Sequence, residues 1–230
     1  MKRTLFITGT DTGVGKTVLT ALLARFLCER GVKVAAAKPV CSGGRDDARR
    51  LHDALRGVLT LDEINPWHFR KPIAPSIAAK LEDKSVKLVS VLAHLRALQE
   101  QFEVLLVEGA GGLLSPLGEN FNSRDVIVAL RAIPIIVAQN RLGAVNHVLL
   151  TLEALPAVLA SRALVVLMSP SRLDVAAKTN ASLLSELFTV GNVITIPWLG
   201  SRFSMDTTLK SGPVRRGLEQ LIKPHTAQPL

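Results

Sequence analysis

The stretch GTDTGVGKT, residues 9–17, decides the fold of this chain. It follows a short apolar run, Leu5–Thr8, and precedes a helical pattern that begins at Gly15. A glycine-rich turn that ends in Gly-Lys-Thr, set between a strand and a helix, is typical of a loop that binds phosphate. The commonest form of this motif has one residue fewer between its first glycine and Gly-Lys-Thr. The spacing therefore indicates a phosphate loop of a less common type.

The residues of this loop suit a triphosphate. Gly13 and Gly15 can adopt backbone conformations that other residues avoid, so their N–H groups can point at phosphate oxygens. The start of the helix adds roughly half a positive charge. We expect Lys16 to reach the terminal phosphates and the Thr17 hydroxyl to bind Mg²⁺. Loops of the partition-ATPase type carry a second lysine where this chain has Asp11, which disfavours an ATPase switch.

Short apolar segments alternate with helical patterns along most of the chain. The expected strands are Leu5–Thr8, Val32–Pro39, Val104–Val107, Ile133–Ala138, Leu164–Met168 and Val193–Ile196. The expected helices are Gly15–Arg30, Asp46–Leu55, Val86–Gln101, Ser123–Arg131, Ala144–Leu155 and Val175–Phe188. Because the strands are almost continuously apolar, we expect them to be buried on both faces. The alternation predicts an α/β fold: a single-domain, doubly wound, mostly parallel sheet with helices on both faces.

The same pattern sets the expected limits of the domain. We expect one domain over residues 1–223 and a loose C-terminal tail over residues 224–230. The segment Gly57–Pro75 is the most irregular part, because it contains Asn65-Pro66 and Lys71-Pro72. It is expected to be an excursion over the surface.

The composition argues against several classes of protein. The formal net charge is +9, but no basic run is interleaved with aromatic residues, so we expect no nucleic-acid partner. The charge also fits a site for anionic substrates. No apolar run approaches the length of about 18 residues that a membrane span needs. The two cysteines, Cys28 and Cys41, make neither a disulfide framework nor a zinc site, and they fit a reduced, cytoplasmic location.

Polar clusters follow four of the expected strands. They are Gly9–Thr17, Lys38–Asp47, Glu108–Gly112 and Gln139–Gly143. Ligands of doubly wound sheets gather at the carboxyl ends of the strands, so we expect these clusters to meet at one edge.

Lys38 closes an apolar strand within this set. Its compact ammonium suits an anion, either a carboxylate or a transferring phosphoryl group, and Ser42 could add a hydrogen bond. The alternative is a solvated lysine at the end of a strand.

Acidic residues stand where a metal ion would be needed. Glu108 ends the apolar run Val104–Val107, and Asp46 and Asp47 begin a helix. Thr17, one of these aspartates and Glu108 would supply oxygen ligands for Mg²⁺, with phosphate and water completing an octahedron. The alternatives are a salt-bridged strand end for Glu108 and helix-dipole partners for the aspartates.

Several motifs of the chain occur together, in this order, in one known family. They are GTDTGVGKT at 9–17, KPVCSG at 38–43, DDA at 46–48, VEGAGG at 107–112, LGAVNH at 142–147 and IPWL at 196–199. Through them the chain resembles the dethiobiotin synthetase family, whose loop has the same longer spacing. The resemblance implies a P-loop NTPase-like fold. It also implies an ATP- and Mg²⁺-dependent cyclo-ligase that joins 7,8-diaminononanoate and CO₂ through a carbamate and a carbamic–phosphoric anhydride.

The resemblance also implies roles for residues that match the family's motifs. The implied catalytic residues are Lys38, Lys16 and Thr12, and the implied metal ligands are Thr17, Asp47 and Glu108. The implied nucleotide-binding residues are Gly13, Val14, Gly15, Lys16, Thr17, Val18, Asp47, Glu108, Gly109, Ala110, Gly111, Pro197, Trp198 and Leu199. The implied substrate-binding residues are Thr12, Lys38, Ser42, Leu142, Gly143 and Asn146.

The family is a homodimer whose substrate lies at the subunit interface. The resemblance therefore implies that Leu142, Gly143 and Asn146 come from the partner chain, while the backbone near Gly111–Ser115 holds the other end of the substrate.

One position departs from the family's pattern. Ser169-Pro170 stand where the family usually carries Asn-Asp, whose asparagine reads adenine. A hydroxyl cannot make the paired hydrogen bonds of an amide, so we expect a relaxed preference for the base.

Two other functions remain open from the sequence. A cobyrinate-type amidating synthetase shares the loop, but such chains usually add a glutamine-hydrolysing domain for which 230 residues leave no room. The other is a partitioning or regulatory ATPase.

Overall fold

A computed structural model describes residues 2–188, 193–201 and 203–223. Its strands are β1 (Arg3–Gly9), β2 (Val34–Ala37), β3 (Val40–Ser42), β4 (Trp67–Phe69), β5 (Val104–Glu108), β6 (Pro116–Gly118), β7 (Phe121–Asn122), β8 (Ile133–Gln139), β9 (Leu164–Met168) and β10 (Val193–Ile196). Six of them form the central sheet in the order β10-β9-β8-β1-β5-β2, and all neighbours in it run parallel. The expected tail over residues 224–230 lies outside the described residues.

Helices surround this sheet. They are α1 (Lys16–Glu29), α2 (Asp46–Ala54), α3 (Leu61–Ile64), α4 (Pro75–Leu81), α5 (Leu88–Gln101), α6 (Ser123–Leu130), α7 (Ala144–Glu153), α8 (Ala157–Ala160), α9 (Val175–Leu187), α10 (Met205–Thr208) and α11 (Gly212–Ile222). Helix α1 packs on β1, β2 and β5 beside α2 and α11, while α5 and α6 pack on each other and on β5 and β1. Consecutive residues of β1 are therefore buried, and the expected doubly wound α/β P-loop fold is confirmed.

The strand expected over Val32–Pro39 is shorter than predicted. Strand β2 ends at Ala37, because Lys38 donates its backbone N–H to Ile64 O and Pro39 has no N–H to donate. The chain then continues as β3, which pairs in parallel with β4 to make a second, small sheet.

The segment Gly57–Pro75 is therefore not a simple surface excursion. It contains α3 and β4, and Ile64, Asn65 and Phe69 within it are buried. The Thr60 and Glu63 side chains cap the start of α3 reciprocally, which explains why so short a helix forms.

The sheet brings the polar clusters to one edge. Strand β1 lies between β5 and β8. Strands β5 and β2 lie on one side of it, and β8, β9 and β10 lie on the other. The loop after β1 therefore lies where the winding changes direction, which is where such sheets bind ligands. Among the described residues, no helix is both long and apolar enough to cross a membrane.

Candidate active site

The loop between β1 and α1 has the conformation that its glycines predict. Gly13 and Gly15 have φ angles of 73° and 104°, in the left-handed region that favours glycine. Lys16 is buried, and its Nζ donates a hydrogen bond to the backbone oxygen of Asp11 at 2.8 Å. Burial lowers the pKa of Lys16 to about 8; Glu108 opposes this change and Lys38 adds to it. The lysine thus folds back over the loop that we expect to hold phosphate.

Lys38 lies between two carboxylates. Its side chain projects from the β2–β3 connection, and its Nζ donates to Glu108 Oε1 at 2.9 Å and to the Asp47 carboxylate. Burial alone would lower the pKa of Lys38, but the two carboxylates outweigh it and the pKa is raised. Burial would likewise raise the pKa of Asp47, but the Lys38 ammonium outweighs it and the pKa is lowered. The site therefore contains a fixed ammonium beside ionised Asp47.

The two carboxylate oxygens of Glu108 differ in their contacts with the described residues. The residue is fully buried at the end of β5, and its Oε1 accepts hydrogen bonds from Thr17 Oγ1 at 2.6 Å and from Lys38. Its Oε2 is buried without a hydrogen-bond partner among the described residues. A buried polar atom without a partner is costly, which favours a missing ligand at this position. Two carboxylates and a hydroxyl are oxygen donors of the kind that Mg²⁺ prefers.

Asp46 and Asp47 differ in where they lie. The Asp47 carboxylate faces the cleft and contacts Lys38. The Asp46 side chain is 87% exposed and pairs with Arg49 at 2.6 Å. Of the two aspartates, only Asp47 contacts Lys38 in this arrangement.

These side chains line a cleft of about 770 Å³. The predicted site residues on its wall are Thr12, Gly13, Gly15, Lys16, Thr17, Val18, Lys38, Ser42, Asp47, Glu108, Ala110 and Gly111. The Ser42 hydroxyl donates to Ile73 O at 2.5 Å, so a substrate would meet Ser42 as an acceptor or displace this bond. Residues from four separate parts of the chain thus meet around one space.

A second pocket of about 400 Å³ lies on the other side of the loop. The predicted nucleotide-binding residues on its wall are Gly13, Val14, Gly15, Val18, Pro197, Trp198 and Leu199. Ser169 and Pro170 line it as well, beside Met168 and Phe203. Its position next to the loop and its apolar walls suit the base of a nucleotide.

Four predicted residues do not line either space in this chain. Gly109 is buried behind the cleft, and Leu142, Gly143 and Asn146 lie exposed at the start of α7. Leu142 is 79% exposed. The structure describes a single chain, so a contribution from a partner chain stays a prediction.

The sequence analysis did not predict Arg50 as a site residue, and for Ser115 it predicted only a role of the backbone. Arg50 lines the cleft, and it lies three residues after Asp47 on α2, so helical spacing could have placed it on the same face. The Ser115 hydroxyl accepts a hydrogen bond from Gly112 N at 2.9 Å and shapes the glycine turn after β5. No pattern in the sequence marks that contact.

Known proteins resemble this chain over most of the region just described. A family model described as "AAA domain" matches residues 3–201. A protein of Methanococcus vannielii named ATP-dependent dethiobiotin synthetase is 40% identical over 151 residues, which cover 66% of this chain and 72% of that protein. A protein of Anaeromyxobacter sp. with the same name is 45% identical over 159 residues, 67% of this chain and 71% of that protein.

A solved structure resembles the fold. It is described as pNOB8 ParA bound to nonspecific DNA, and it covers 96% of this chain and 99% of its own length, with a TM-score of 0.57 and 14% identity. This likeness concerns the fold alone. The family model and the curated relatives go further: the chain belongs to the ATP-dependent dethiobiotin synthetase family.

Proposed function

We propose that this chain converts 7,8-diaminononanoate, CO₂ and ATP into dethiobiotin, ADP and phosphate. The observation that carries the proposal is the Lys38 ammonium, held between Glu108 and Asp47 in the cleft that Lys16 and Thr17 also line. Two cationic side chains beside a phosphate loop suit the transfer of a phosphoryl group, because negative charge develops on that group in the transition state.

The reaction proceeds in three steps. One amine of the substrate adds to CO₂ and loses a proton, which gives a carbamate. A carbamate oxygen attacks the γ-phosphorus of ATP, and ADP leaves, which gives the carbamic–phosphoric anhydride. The second amine then attacks the carbamoyl carbon; phosphate leaves with the C–O electron pair, the amine loses its proton, and the ureido ring closes.

The protein's contribution is to orient these groups and stabilise charge. Lys16 reaches the terminal phosphates from the loop, and Lys38 neutralises the carbamate and the transferring phosphoryl group. Thr12 and Ser42 bind the carbamate or its parent amine, and both line the same cleft. Ala110 and Gly111 line the cleft and would lie close to the phosphates, whereas Gly109 is buried behind it.

We propose Thr17, Asp47 and Glu108 as the residues that hold Mg²⁺. The unpartnered Oε2 of Glu108 and the contact of Thr17 Oγ1 with Oε1 support this assignment. When bound, the ion would neutralise charge on the phosphates.

We propose a homodimer in which Leu142, Gly143 and Asn146 of one chain contact the substrate of the other. Exposed Leu142, which lies just before α7, and exposed Leu150 on α7 support this idea, since exposed apolar side chains favour a partner. The cytoplasmic location and the lack of a nucleic-acid partner stay predictions from the sequence.

The test is the release of ADP with and without the diamine and bicarbonate, together with mass-spectrometric detection of dethiobiotin. We expect release to depend on both compounds. ADP release that is independent of both compounds would favour an ATPase switch. ADP release that requires an amide donor would favour an amidating synthetase.

A further inference from the structure

Asn65, the residue that ends α3, is fully buried against the catalytic cleft. Its Nδ2 donates a hydrogen bond to the backbone oxygen of Lys38 at 2.7 Å. Its Oδ1 accepts a hydrogen bond from the Cys41 thiol at 3.2 Å. The amide therefore uses its donor on one side and its acceptor on the other, within a segment that the sequence placed on the surface.

The contact with Lys38 holds the backbone at the edge of the sheet. Lys38 follows the last residue of β2, which is the edge strand of the central sheet. Its N–H donates to Ile64 O at 2.9 Å, and its oxygen accepts from the Asn65 side chain. Both polar backbone groups of Lys38 are thus held by two consecutive residues of one segment.

The same residue also reaches the helix that carries Asp47. Arg45 immediately precedes α2, and its Nη2 donates to the backbone oxygens of Leu61 at 2.5 Å and Asn65 at 3.1 Å. The side chain of Asn65 therefore binds the backbone oxygen of Lys38, and the backbone oxygen of Asn65 accepts a hydrogen bond from Arg45. One segment sets the relative position of both partners of the Lys38–Asp47 pair.

We propose that Asn65 is a positioning residue for Lys38. The kinetic test of this role rests on the proposed function, whereas the structural test does not. Asn65 itself is not among the residues that line the cleft. It acts by fixing the backbone from which the Lys38 side chain reaches Glu108. A reacting group displaced by about 1 Å can lose about 100-fold in rate, so loss of this contact should affect turnover more than nucleotide binding.

The experiment compares Asn65→Asp, Asn65→Ala and a control, Val91→Ala, at a buried position of α5 that does not contact the cleft. Asn65→Asp keeps the shape of the side chain but removes the donor to Lys38 O. We expect both Asn65 variants to lower kcat about 10- to 100-fold while the dissociation constant for ATP changes by less than about threefold. Val91→Ala should keep kcat within about twofold at a temperature where all variants are folded.

A crystal structure of either Asn65 variant provides a readout that does not depend on activity. The Lys38 Nζ to Glu108 Oε1 distance of 2.9 Å should lengthen or become variable. An unchanged Lys38, or losses of kcat that follow the losses of Tm across all three variants, would overturn the proposal. If the wild-type protein lacks the diamine-dependent reaction, the proposed function fails, and the crystal structure still decides the role of Asn65.

Discussion

The cleft around Lys38 and the pocket around Trp198 lie on opposite sides of the same loop, yet they are built differently. In the cleft, Lys38, Asp47, Glu108 and Thr17 are joined by hydrogen bonds and ion pairs. Lys38 and Glu108 are almost inaccessible to solvent, at 6% and 0% exposure. In the pocket, Trp198 is 52% exposed and its neighbours are mainly apolar.

The polar side chain of Asn140 lines the pocket but is engaged within the protein. Its Nδ2 donates to Ala177 O at 2.8 Å and its Oδ1 accepts from Asn180 at 2.9 Å. Only 2% of Asn140 is exposed. From this difference we expect the cleft to determine the rate of the reaction through charge and geometry, and the pocket to contribute affinity through apolar contact.

The largest effect should come from Lys38→Ala. Removal of the ammonium takes away charge stabilisation in the transition state, so we expect kcat to fall about 100- to 1000-fold while ATP still binds. Steady-state kinetics and calorimetric titration with ATP measure the two quantities. The variant also leaves buried Glu108 without its cation, which lowers stability, so the assay belongs well below the Tm. A near-normal rate would remove Lys38 from the mechanism.

The second-largest effect should come from Asp47→Asn at the start of α2, with Asp46→Asn as its matched control. Asp47→Asn removes a proposed metal ligand and a partner of Lys38, whereas Asp46→Asn changes a residue paired with Arg49 at the surface. Groups that only support a metal ligand are worth about 10- to 100-fold in metal affinity or activity. We expect Asp47→Asn to raise the Mg²⁺ concentration that gives half of the maximal rate by about 10-fold or more. Equal responses of the two variants in a Mg²⁺ titration would contradict the assignment.

A smaller effect should come from Trp198→Ala in the apolar pocket. Stacking of a base on an aromatic ring is worth about 1–3 kcal/mol, and the exposure of Trp198 places it at the lower end. We therefore expect the KM for ATP to rise about fivefold with little change in kcat. Leu187→Ala, at an exposed position of α9, is the control. A large loss of kcat in Trp198→Ala would mean that the pocket also orients the phosphates.

An effect no larger than that of Trp198→Ala should come from Ser169→Asn. An amide can donate to and accept from the edge of adenine, which a hydroxyl cannot do in a paired manner. We expect the preference in kcat/KM for ATP over GTP, CTP and UTP to increase about fivefold in the variant, at the lower end of what a paired contact gives. The wild-type chain should use the four nucleotides with similar efficiency. The same ratios in both proteins would show that Ser169 does not face the base.

The sequence predicted the main elements of this fold but not the segment that supports Lys38. The alternation of short apolar runs with helical patterns was enough to predict the central sheet, because such an alternation is typical of a doubly wound fold. Strands β3 and β4 are short, with three residues each, and no periodicity can be seen over such a length. Thr60 and Glu63 form a capping box that could have indicated α3, yet nothing local shows that Asn65 turns inward.

The amino-acid sequence by itself determined the phosphate loop, the winding of the sheet and which acidic and basic residues follow which strands. Apart from the winding, which follows from the alternation of strands and helices along the chain, these features are local, because glycine conformations, helix starts and apolar runs depend on near neighbours. Only the tertiary structure decided that Lys38 lies between Asp47 and Glu108, that Asp46 pairs with Arg49 instead, and that Glu108 Oε2 has no partner among the described residues. These contacts join residues far apart in the chain, and their geometry depends on packing that no single segment encodes.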